Sequence, residues 1–199
     1  MMQSANTKYP EYVNLLKGRL TEKRFLHSLA VADEAKRLAE IHGVDAEKAY
    51  LAGLLHDITK NTSEEEHLKI FDTFGIILTN VEFNAKKLWH AISGAAFIKY
   101  VLLIDDEEII YAVRYHTTAK AGMSLFSKIL YLADYTSLDR DYDDVDVIRG
   151  ILDKSLDEAF LYALRYSITE LADSGRALHP DTVEAYNEVV LKGVVLSGS

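Results

Sequence analysis

The sequence predicts an all-α protein, a helical bundle with further helices packed on it at the C-terminal end. The two prolines lie at Pro10 and Pro180, so the long stretch between them lacks the strongest helix breaker. Apolar residues in that stretch recur at three- and four-residue steps, as they do on one face of a helix. Alternating patterns bounded by tight-turn dipeptides are lacking, and the runs IILTNV and VVLSGS are the only weak strand candidates.

Apolar stripes predict the first two long helices. The first apolar stripe predicts a helix that ends near His42 and Gly43. It consists of Phe25, Leu29, Ala32, Ala35, Leu38 and Ala39. A second helix is expected to begin with Asp45 as its N-cap. Its apolar side consists of Ala49, Ala52, Leu55 and Ile58.

Capping residues and glycines predict the remaining helix ends. Three helix starts combine a capping side chain with a Glu three residues later. These pairs are Ser63 with Glu66, Asp105 with Glu108, and Ser155 with Glu158. Stop signals are Gly43, Gly75 and Gly175. Pro180 is expected in the first turn of a last helix that ends at Leu191.

The chain is interpreted as one domain over residues 1–199. Within it we expect an N-terminal helix region at 1–20, a core with the candidate metal ligands at 21–135, and a C-terminal helical part at 145–191. The acidic run DRDYDDVD, Asp139 to Asp146, predicts a solvated loop between the bundle and a C-terminal helical pair. A calcium loop is the weaker alternative, because the regular ligand order and the turn glycine are missing.

The composition limits the classes of function. Lys and Arg number 22 against 31 Asp and Glu, a formal net charge of −9. This charge argues against binding to nucleic acid or to an anionic membrane, since both require positive protein surfaces. The absence of Cys excludes disulfides, thiolate metal sites and thiol nucleophiles. No segment is typical of a signal peptide or a membrane span, so we expect a cytoplasmic protein.

Four of the seven histidines lie beside apolar helix faces. His27 stands in RFLHSLAVADEA, His56 in AGLLHD, His90 in KKLWHAISGAA, and His116 at the end of DEEIIYAVRYH. A single histidine in such a place is usually a hydrogen-bonded core residue. Four imidazoles beside carboxylates are costly to bury unless a cation compensates them, which favours a metal site.

Two other histidines are left out of that site. His42 precedes Gly43 and is assigned to a helix C-terminus. His67 stands on the polar face of SEEEHLKIF and is expected to be solvated.

Two aspartates complete the candidate metal set. Asp57 follows His56 directly, and both side chains can reach a cation beside the helix although they diverge by about 100°. Asp134 ends the apolar run SKILYLAD, where an unpaired acid is unexpected. A carboxylate can bridge two metals and an imidazole cannot. Mixed His and carboxylate ligation suits iron, manganese or zinc better than magnesium or calcium.

The ordered pattern H, HD, H, H, D resembles the HD-domain superfamily of metal-dependent phosphohydrolases. Several segments are similar to the YqeK group, bacterial HD-domain proteins associated with symmetrical hydrolysis of diadenosine tetraphosphate to two ADP. They are RFLHSLAVADEAKRLAE, AYLAGLLHDITK, LWHAISGAAF, AVRYHTTAKAGMSLFSKILYLADY and GRALHPDTVEAYNEV. The resemblance runs from Arg24 to Asn187 and implies an HD-type helical bundle. One departure is TSLDR after Asp134, where the family more often has an acid-Pro pair before the Arg.

The resemblance implies that the metal ligands are His27, His56, Asp57 and Asp134. Iron is the implied metal, with manganese or zinc as alternatives, and one or two ions are expected. His90 and His116 either hold a second cation bridged through Asp57 or contact a substrate phosphate. A metal-bound water would supply the attacking hydroxide, so no protein nucleophile is needed. The expected catalytic residues are Asp57, Lys60, His90 and His116.

A polyphosphate substrate also needs cationic partners. Arg24 lies one turn before His27, Lys60 one turn after His56, and Arg140 a short loop after Asp134. No Gly-rich phosphate loop is present, so phosphate recognition is expected from side chains and metal. The expected substrate-binding residues are Arg24, Lys60, His90, His116, Thr117, Arg140 and His179.

Three functions follow from these expectations. The first is symmetrical hydrolysis of diadenosine tetraphosphate. The second is an HD-type nucleotidase that acts on nucleoside or deoxynucleoside mono-, di- or triphosphates. The third is a non-catalytic nucleotide-sensing module. In each case the expected partner is a small nucleotide and not nucleic acid or a membrane, and a homodimer is compatible with the chain.

Overall fold

The computed structural model describes residues 9–196 and confirms the all-α prediction. That range contains eleven α-helices, a 3-10 turn at Lys86–Leu88 and no strand. The helices are α1 (Pro10–Arg19), α2 (Glu22–His42), α3 (Ala46–Leu55), α4 (Glu64–Thr73), α5 (Asn80–Asn84), α6 (Trp89–Tyr100), α7 (Glu107–Tyr115), α8 (Leu125–Thr136), α9 (Val145–Leu152), α10 (Leu156–Asp173) and α11 (Pro180–Leu191). Over the same residues, no helix has both the length and the apolar character that crossing a membrane requires.

Three of the four predicted N-caps, Asp45, Ser63 and Ser155, are observed. The Asp45 side chain accepts the N–H groups of Glu47 and Lys48 at the start of α3. Ser63 and Glu66 form a reciprocal capping box at the start of α4. Such caps satisfy amide groups that have no partner inside the helix, which explains why these positions could be predicted.

The helix stops and the last helix also follow the prediction. α2 ends at His42, and Gly43 follows in the left-handed region at φ 71°, where a residue with a Cβ would be strained. Pro180 occupies the first turn of α11, which ends at Leu191.

One predicted helix start is displaced by one residue, and the weak strand candidates form no strand within residues 9–196. The N-cap of α7 is Asp106 and not Asp105, because Asp106 Oδ1 accepts the N–H groups of Glu108 and Ile109. The run IILTNV forms no strand; it is irregular up to Thr79, which starts α5 by a capping box with Glu82. Residues 194–196 of the run VVLSGS are also irregular, and 197–199 lie outside the described residues.

The core forms where α2, α3, α7 and α8 meet. α2 packs against α3 and α8, and α7 packs against α6 and α8. Gly53 permits the close crossing of α3 over α2, because a Cβ there would lie 2.7 Å from Ala32 Cα. Leu54, Leu55 and Ile129 are fully buried in this core. The tight α2–α3 contact places the residues that follow α3 beside the first turns of α2.

The C-terminal helices support the back of α8. The chain is irregular over residues 139–144 and then forms three helices, not the predicted pair. α10 packs against α8, α9 and α11. The rings of Tyr131 on α8 and Phe160 on α10 meet edge to face with centroids 5.3 Å apart. This packing fixes the helix that carries Asp134.

Candidate metal centre

Six predicted side chains meet at one place in the bundle, although they come from five separate elements. They are His27 from α2, His56 and Asp57 from the turn after α3, His90 from α6, His116 from the residue after α7, and Asp134 from α8. The four histidines and Asp57 are each no more than 4% exposed. Asp134 keeps 18% of its side chain exposed. The six form a buried cluster that reaches solvent beside Asp134.

The Asp57 carboxylate faces three imidazoles. Its Oδ1 lies 3.2 Å from His90 Nε2 and 3.7 Å from His116 Nε2. Its Oδ2 lies 3.6 Å from His56 Nε2. Both oxygens therefore face ring nitrogens, and Oδ2 also accepts a hydrogen bond from Arg24 Nη1 at 3.4 Å.

The Asp134 carboxylate faces the other end of the cluster. Its Oδ1 lies 3.0 Å from His27 Nε2 and 3.9 Å from His56 Nε2. Arg140 donates to the same oxygen and, through Nε at 2.6 Å, to the Asp134 carbonyl. His56 thus lies between the two carboxylates.

Three of the four imidazoles are oriented by the backbone. In each, Nδ1 lies 2.7 Å from the carbonyl oxygen three residues earlier. The pairs are His56 with Gly53, His90 with Lys87, and His116 with Val113. Because a carbonyl can only accept, Nδ1 donates the proton and Nε2 keeps its lone pair for the centre.

His27 is oriented by a side chain that the sequence analysis missed. Its Nδ1 lies 2.7 Å from Asp139 Oδ2, and the Ser137 hydroxyl donates to Asp139 Oδ1 at 2.7 Å. Asp139 belongs to the acidic run that was expected to be solvated, and its side chain is 35% exposed. The only sequence signal was its position beside Arg140.

The atoms of the cluster fit a divalent cation. His56 Nε2 and Asp57 Oδ1 are buried and have no hydrogen-bond partner. His90 Nε2 and His116 Nε2 both present lone pairs and lie 3.1 Å apart, a contact that needs a positive charge beside it. Lys60 Nζ, 3.0 Å from His90 Nε2, supplies part of that charge. Two groups hold ligand atoms within 4.8 Å of one another: His27, His56 and Asp134, and His56, Asp57 and His116.

Burial and charge give these groups the protonation states that a cation requires. Burial lowers the pKa of His56 and of His90, and it lowers the pKa of His116 to about 4. Burial opposes ionisation of Asp57, but His56, Lys60 and the other imidazoles outweigh it and lower the pKa of Asp57. Neutral imidazoles and ionised carboxylates at neutral pH are the metal-binding forms.

His27 behaves differently from the other imidazoles. Burial acts to lower the pKa of His27, but the hydrogen bond and the charge of Asp134 outweigh it and raise that pKa. Burial likewise opposes ionisation of Asp134, and Arg140 and His27 lower the pKa of Asp134 well below its usual value. This end of the cluster is therefore already paired with positive charge.

The predicted cationic residues border the cluster. Arg24 Nη1 lies 3.4 Å from Asp57 Oδ2, and Lys60 Nζ lies 3.6 Å from Asp57 Oδ1 and 3.0 Å from His90 Nε2. Thr117 Oγ1 lies 3.4 Å from His90 Nε2. Each of these groups can reach an anion bound at the cluster.

His179 is placed differently from the other predicted substrate contacts. Its Nε2 lies 3.7 Å from Glu82 Oε1, and its Nδ1 accepts the N–H of Asp181. Within residues 9–196, no hydrogen bond or ion pair joins His179 to the cluster, so its role in nucleotide binding stays a prediction.

The expectation for His67 was wrong. His67 is 6% exposed, because α6 packs against the face of α4 that carries it. Its Nδ1 lies 2.8 Å from Ser93 Oγ, which lies 2.9 Å from Thr59 Oγ1. Thr59 in turn donates to the His90 carbonyl at 2.8 Å. His67 therefore supports the backbone of His90 through two hydroxyl groups.

Residues 24–139, which contain the whole H, HD, H, H, D set, match the HD domain family. The chain belongs to the HD-domain family. Within it, the chain is 33% identical to proteins named symmetrical bis(5'-nucleosyl)-tetraphosphatase from Halalkalibacterium halodurans and Bacillus subtilis. Each match spans 180 residues, 90% of this chain and 96% of the relative.

A solved HD-domain structure has the same fold. It comes from Clostridium acetobutylicum and is described as a "predicted HD superfamily hydrolase involved in NAD metabolism". It is 37% identical, with a TM-score of 0.89 over 94% of this chain and 98% of that one. Fold and family together confirm the HD-type bundle, and the HD domain implies a divalent metal site.

Proposed function

We propose that this HD-domain protein hydrolyses diadenosine tetraphosphate symmetrically to two ADP. The observation that carries the proposal is a buried two-carboxylate cluster with a cationic group at each end, Arg140 beside Asp134 and Lys60 beside Asp57. A tetraphosphate that is cut at its central bond has a charged phosphate on both sides of the attacked phosphorus. Cations at both ends match that charge distribution, and the names of the relatives support the same substrate.

We further propose that His27, His56, Asp57 and Asp134 hold a divalent transition metal, with iron as the first candidate and manganese or zinc as alternatives. The donor set of imidazole nitrogens and carboxylate oxygens suits these metals. Asp57, His90 and His116 are proposed to hold a second ion, and otherwise the two histidines contact a substrate phosphate. The buried Asp57 Oδ1, which accepts no hydrogen bond and lies 3.2 Å from His90 Nε2 and 3.7 Å from His116 Nε2, supports the second ion.

The residues around the cluster would perform the rest of the chemistry. A divalent cation, when bound, supplies Lewis acidity and makes a coordinated water more acidic. Lys60, Arg24 and Arg140 would bind the phosphates and offset the charge that grows during attack on phosphorus. The carbonyls of Gly53, Lys87 and Val113 hold protons on Nδ1 of their histidines and so keep Nε2 unprotonated.

Product analysis with diadenosine tetraphosphate tests the proposal. The protein is reconstituted separately with iron, manganese or zinc, and the products are separated by ion-exchange chromatography. ADP as the sole product supports symmetrical hydrolysis. AMP together with ATP would contradict it.

Two other outcomes separate the remaining hypotheses. Rapid dephosphorylation of mononucleotides without turnover of the tetraphosphate would indicate the HD-type nucleotidase. Nucleotide binding without turnover, in protein with full metal content, would indicate a sensing module. Light scattering on the same samples tests the homodimer hypothesis, which requires twice the mass of one chain.

We also propose a cytoplasmic location. It would be tested by fractionation of the source cells with detection of the native protein.

A further inference from the structure

A cavity of about 440 Å³ opens next to His90, on the side of the cluster that holds Asp57. Its inner wall contains Lys60 and His90, and its outer wall contains Glu64 from the first turn of α4 together with Lys86 and Lys87 from the 3-10 turn. We call it the lysine cavity, defined by Lys60, Glu64, Lys86, Lys87 and His90. Its volume lies within the roughly 300–1,000 Å³ of small-molecule sites.

The lysine cavity is positive in a protein of net charge −9. Four cationic side chains line it, the three lysines and Arg24, against one carboxylate, Glu64. Lys86 pairs with Glu64, but both side chains are more than half exposed, and such a pair exchanges readily with other ions. Within residues 9–196, Lys87 forms no ion pair. Arg24 and Lys60 are paired with Asp57, so the cavity offers an anion the unpaired charge of Lys87 and the exposed, exchangeable charge of Lys86.

The outer wall is tied to the metal cluster. The Lys87 carbonyl accepts the proton on Nδ1 of His90 at 2.7 Å, so the 3-10 turn and the His90 ring are held together. At the inner wall, Lys60 Nζ lies 3.0 Å from His90 Nε2. An anion that extends from the cluster past Lys60 would meet Lys86 and Lys87 next.

We propose that the lysine cavity binds the diphosphate of one nucleoside diphosphate half of the substrate, with Lys86 and Lys87 contacting the phosphates away from the cleaved bond. This proposal rests on the proposed function. In it, the lysine cavity is the site that distinguishes substrates by the length of their phosphate chain. Arg140 lies beside Asp134 at the opposite end of the cluster, so the other half has its own cation. Lys86 and Lys87 add little binding energy for a substrate whose phosphates end at the metal cluster. For a tetraphosphate, both lysines contact phosphate and strengthen binding.

The double variant K86A/K87A tests the proposal, with K69A/K154A as the control. Lys69 and Lys154 are exposed and lie outside the cavity, so the control removes the same charge elsewhere. In metal-loaded protein, we expect K86A/K87A to raise KM for diadenosine tetraphosphate about tenfold and to lower kcat less than threefold. The specificity ratio of the tetraphosphate over the small diester bis(p-nitrophenyl) phosphate should fall about tenfold, and the control should keep it.

Calorimetric titration of ADP into the metal-loaded protein gives a readout that needs no turnover. We expect the wild type and the control to show a binding component that K86A/K87A loses or weakens at least tenfold. An ADP titration and a KM that are the same in K86A/K87A and the control would overturn the cavity proposal, even if the wild type produces ADP from the tetraphosphate. Lysine-dependent ADP binding without any tetraphosphate hydrolysis would instead remove the proposed function and keep the cavity as a nucleoside diphosphate site.

A variant that should strengthen nucleotide binding provides a second test. Glu64→Gln releases Lys86 from its carboxylate partner and should lower KM and tighten ADP binding about two- to threefold. Weaker ADP binding in E64Q, with an unchanged melting temperature, would contradict the assigned role of Lys86.

Discussion

The two sides of the metal cluster satisfy their charges in different ways. On the side of Asp134, the carboxylate is paired with Arg140 and with His27, whose ring is held by Asp139 from an irregular segment. On the side of Asp57, the His90 and His116 rings are held by backbone carbonyls, and Asp57 Oδ1 is buried without a hydrogen bond. Arg24 and Lys60 offset part of the Asp57 charge, at 3.4 Å from Oδ2 and 3.6 Å from Oδ1. The two sides therefore differ in what holds their imidazole rings and in whether each carboxylate oxygen accepts a hydrogen bond.

This difference predicts different roles for the two sides of the cluster. Backbone carbonyls at helix ends cannot rearrange without unfolding a turn, so the Asp57 side is rigid and preorganised for cations. The Asp134 side depends on side chains from the segment after α8, such as Asp139 and Arg140. We therefore expect substitutions on the Asp57 side to abolish metal binding and hydrolysis. Substitutions around Asp139 should weaken metal binding without abolishing it.

The largest expected effect is that of Asp57→Asn. The substitution keeps the volume but removes the charge that faces three imidazoles and Lys60, so the cluster should lose its metal. We expect turnover to fall at least about a thousandfold. Metal content by mass spectrometry and ADP production measure the two losses.

The matched control is Asp72→Asn, which removes an exposed carboxylate from α4. It should keep both metal and activity. Turnover in purified D57N at more than a tenth of the wild-type rate would contradict the role of Asp57. Circular dichroism of both variants tests whether the loss comes from unfolding.

The second prediction concerns the pH dependence of the metal-free protein. The pKa of His116 is lowered from 6.5 to about 4 by burial, and the pKa values of His56 and His90 are also lowered. Groups with a depressed pKa stabilise the fold above the unfolded pKa, and that stability is lost as the pH falls. His116 alone should cost on the order of 3 kcal/mol of unfolding free energy between pH 6.5 and about 4.

The contribution of His27 to stability is expected to change with pH in the opposite direction. Its pKa is raised, so its contribution is present below the unfolded pKa and is lost as the pH rises through the folded pKa. Urea unfolding at several pH values should therefore show a flatter loss of stability in H116N than in the wild type between pH 6.5 and about 4. H27N should keep the wild-type slope in that range and differ from the wild type only above pH 6.5, where the wild type loses the contribution of His27. Equal slopes in the two variants would show that the two sides do not differ electrostatically.

The sequence predicted several helix starts correctly, and it predicted that six residues would lie together in the bundle. The roles of those six residues stay a prediction. Caps such as Asp45 and Ser63 act within one turn, so their effect can be predicted locally. The order of His27, His56, Asp57, His90, His116 and Asp134 was recognised as a family pattern, and that pattern carries the long-range information.

The missed residues depend on contacts that a local pattern does not record. His67 is buried because α6 covers the polar face of α4, which periodicity alone cannot show. Asp139 contacts a histidine 112 positions earlier in the chain, and its acidic neighbours made it resemble a solvated loop residue. Asp106 replaced Asp105 as an N-cap because two adjacent acids offer the same capping chemistry.

The smallest of these effects is expected for Asp139. Asp139→Ala removes the acceptor for the proton on His27 Nδ1, so the ring can rotate and change tautomer. Loss of such an orienting contact typically weakens metal binding about 10- to 100-fold. Competition with a chromogenic chelator measures the affinity in the absence of substrate.

The variants around this position distinguish orientation from charge. Asp139→Asn keeps an oxygen acceptor and should recover most of the affinity, while Asp141→Asn removes a nearby exposed carboxylate and should leave it unchanged. If D139N and D139A bind metal equally weakly, the charge of Asp139 matters and not its hydrogen bond. If D139A binds metal as tightly as the wild type, the Asp134 side is as preorganised as the Asp57 side, and the contrast between them does not extend to metal binding.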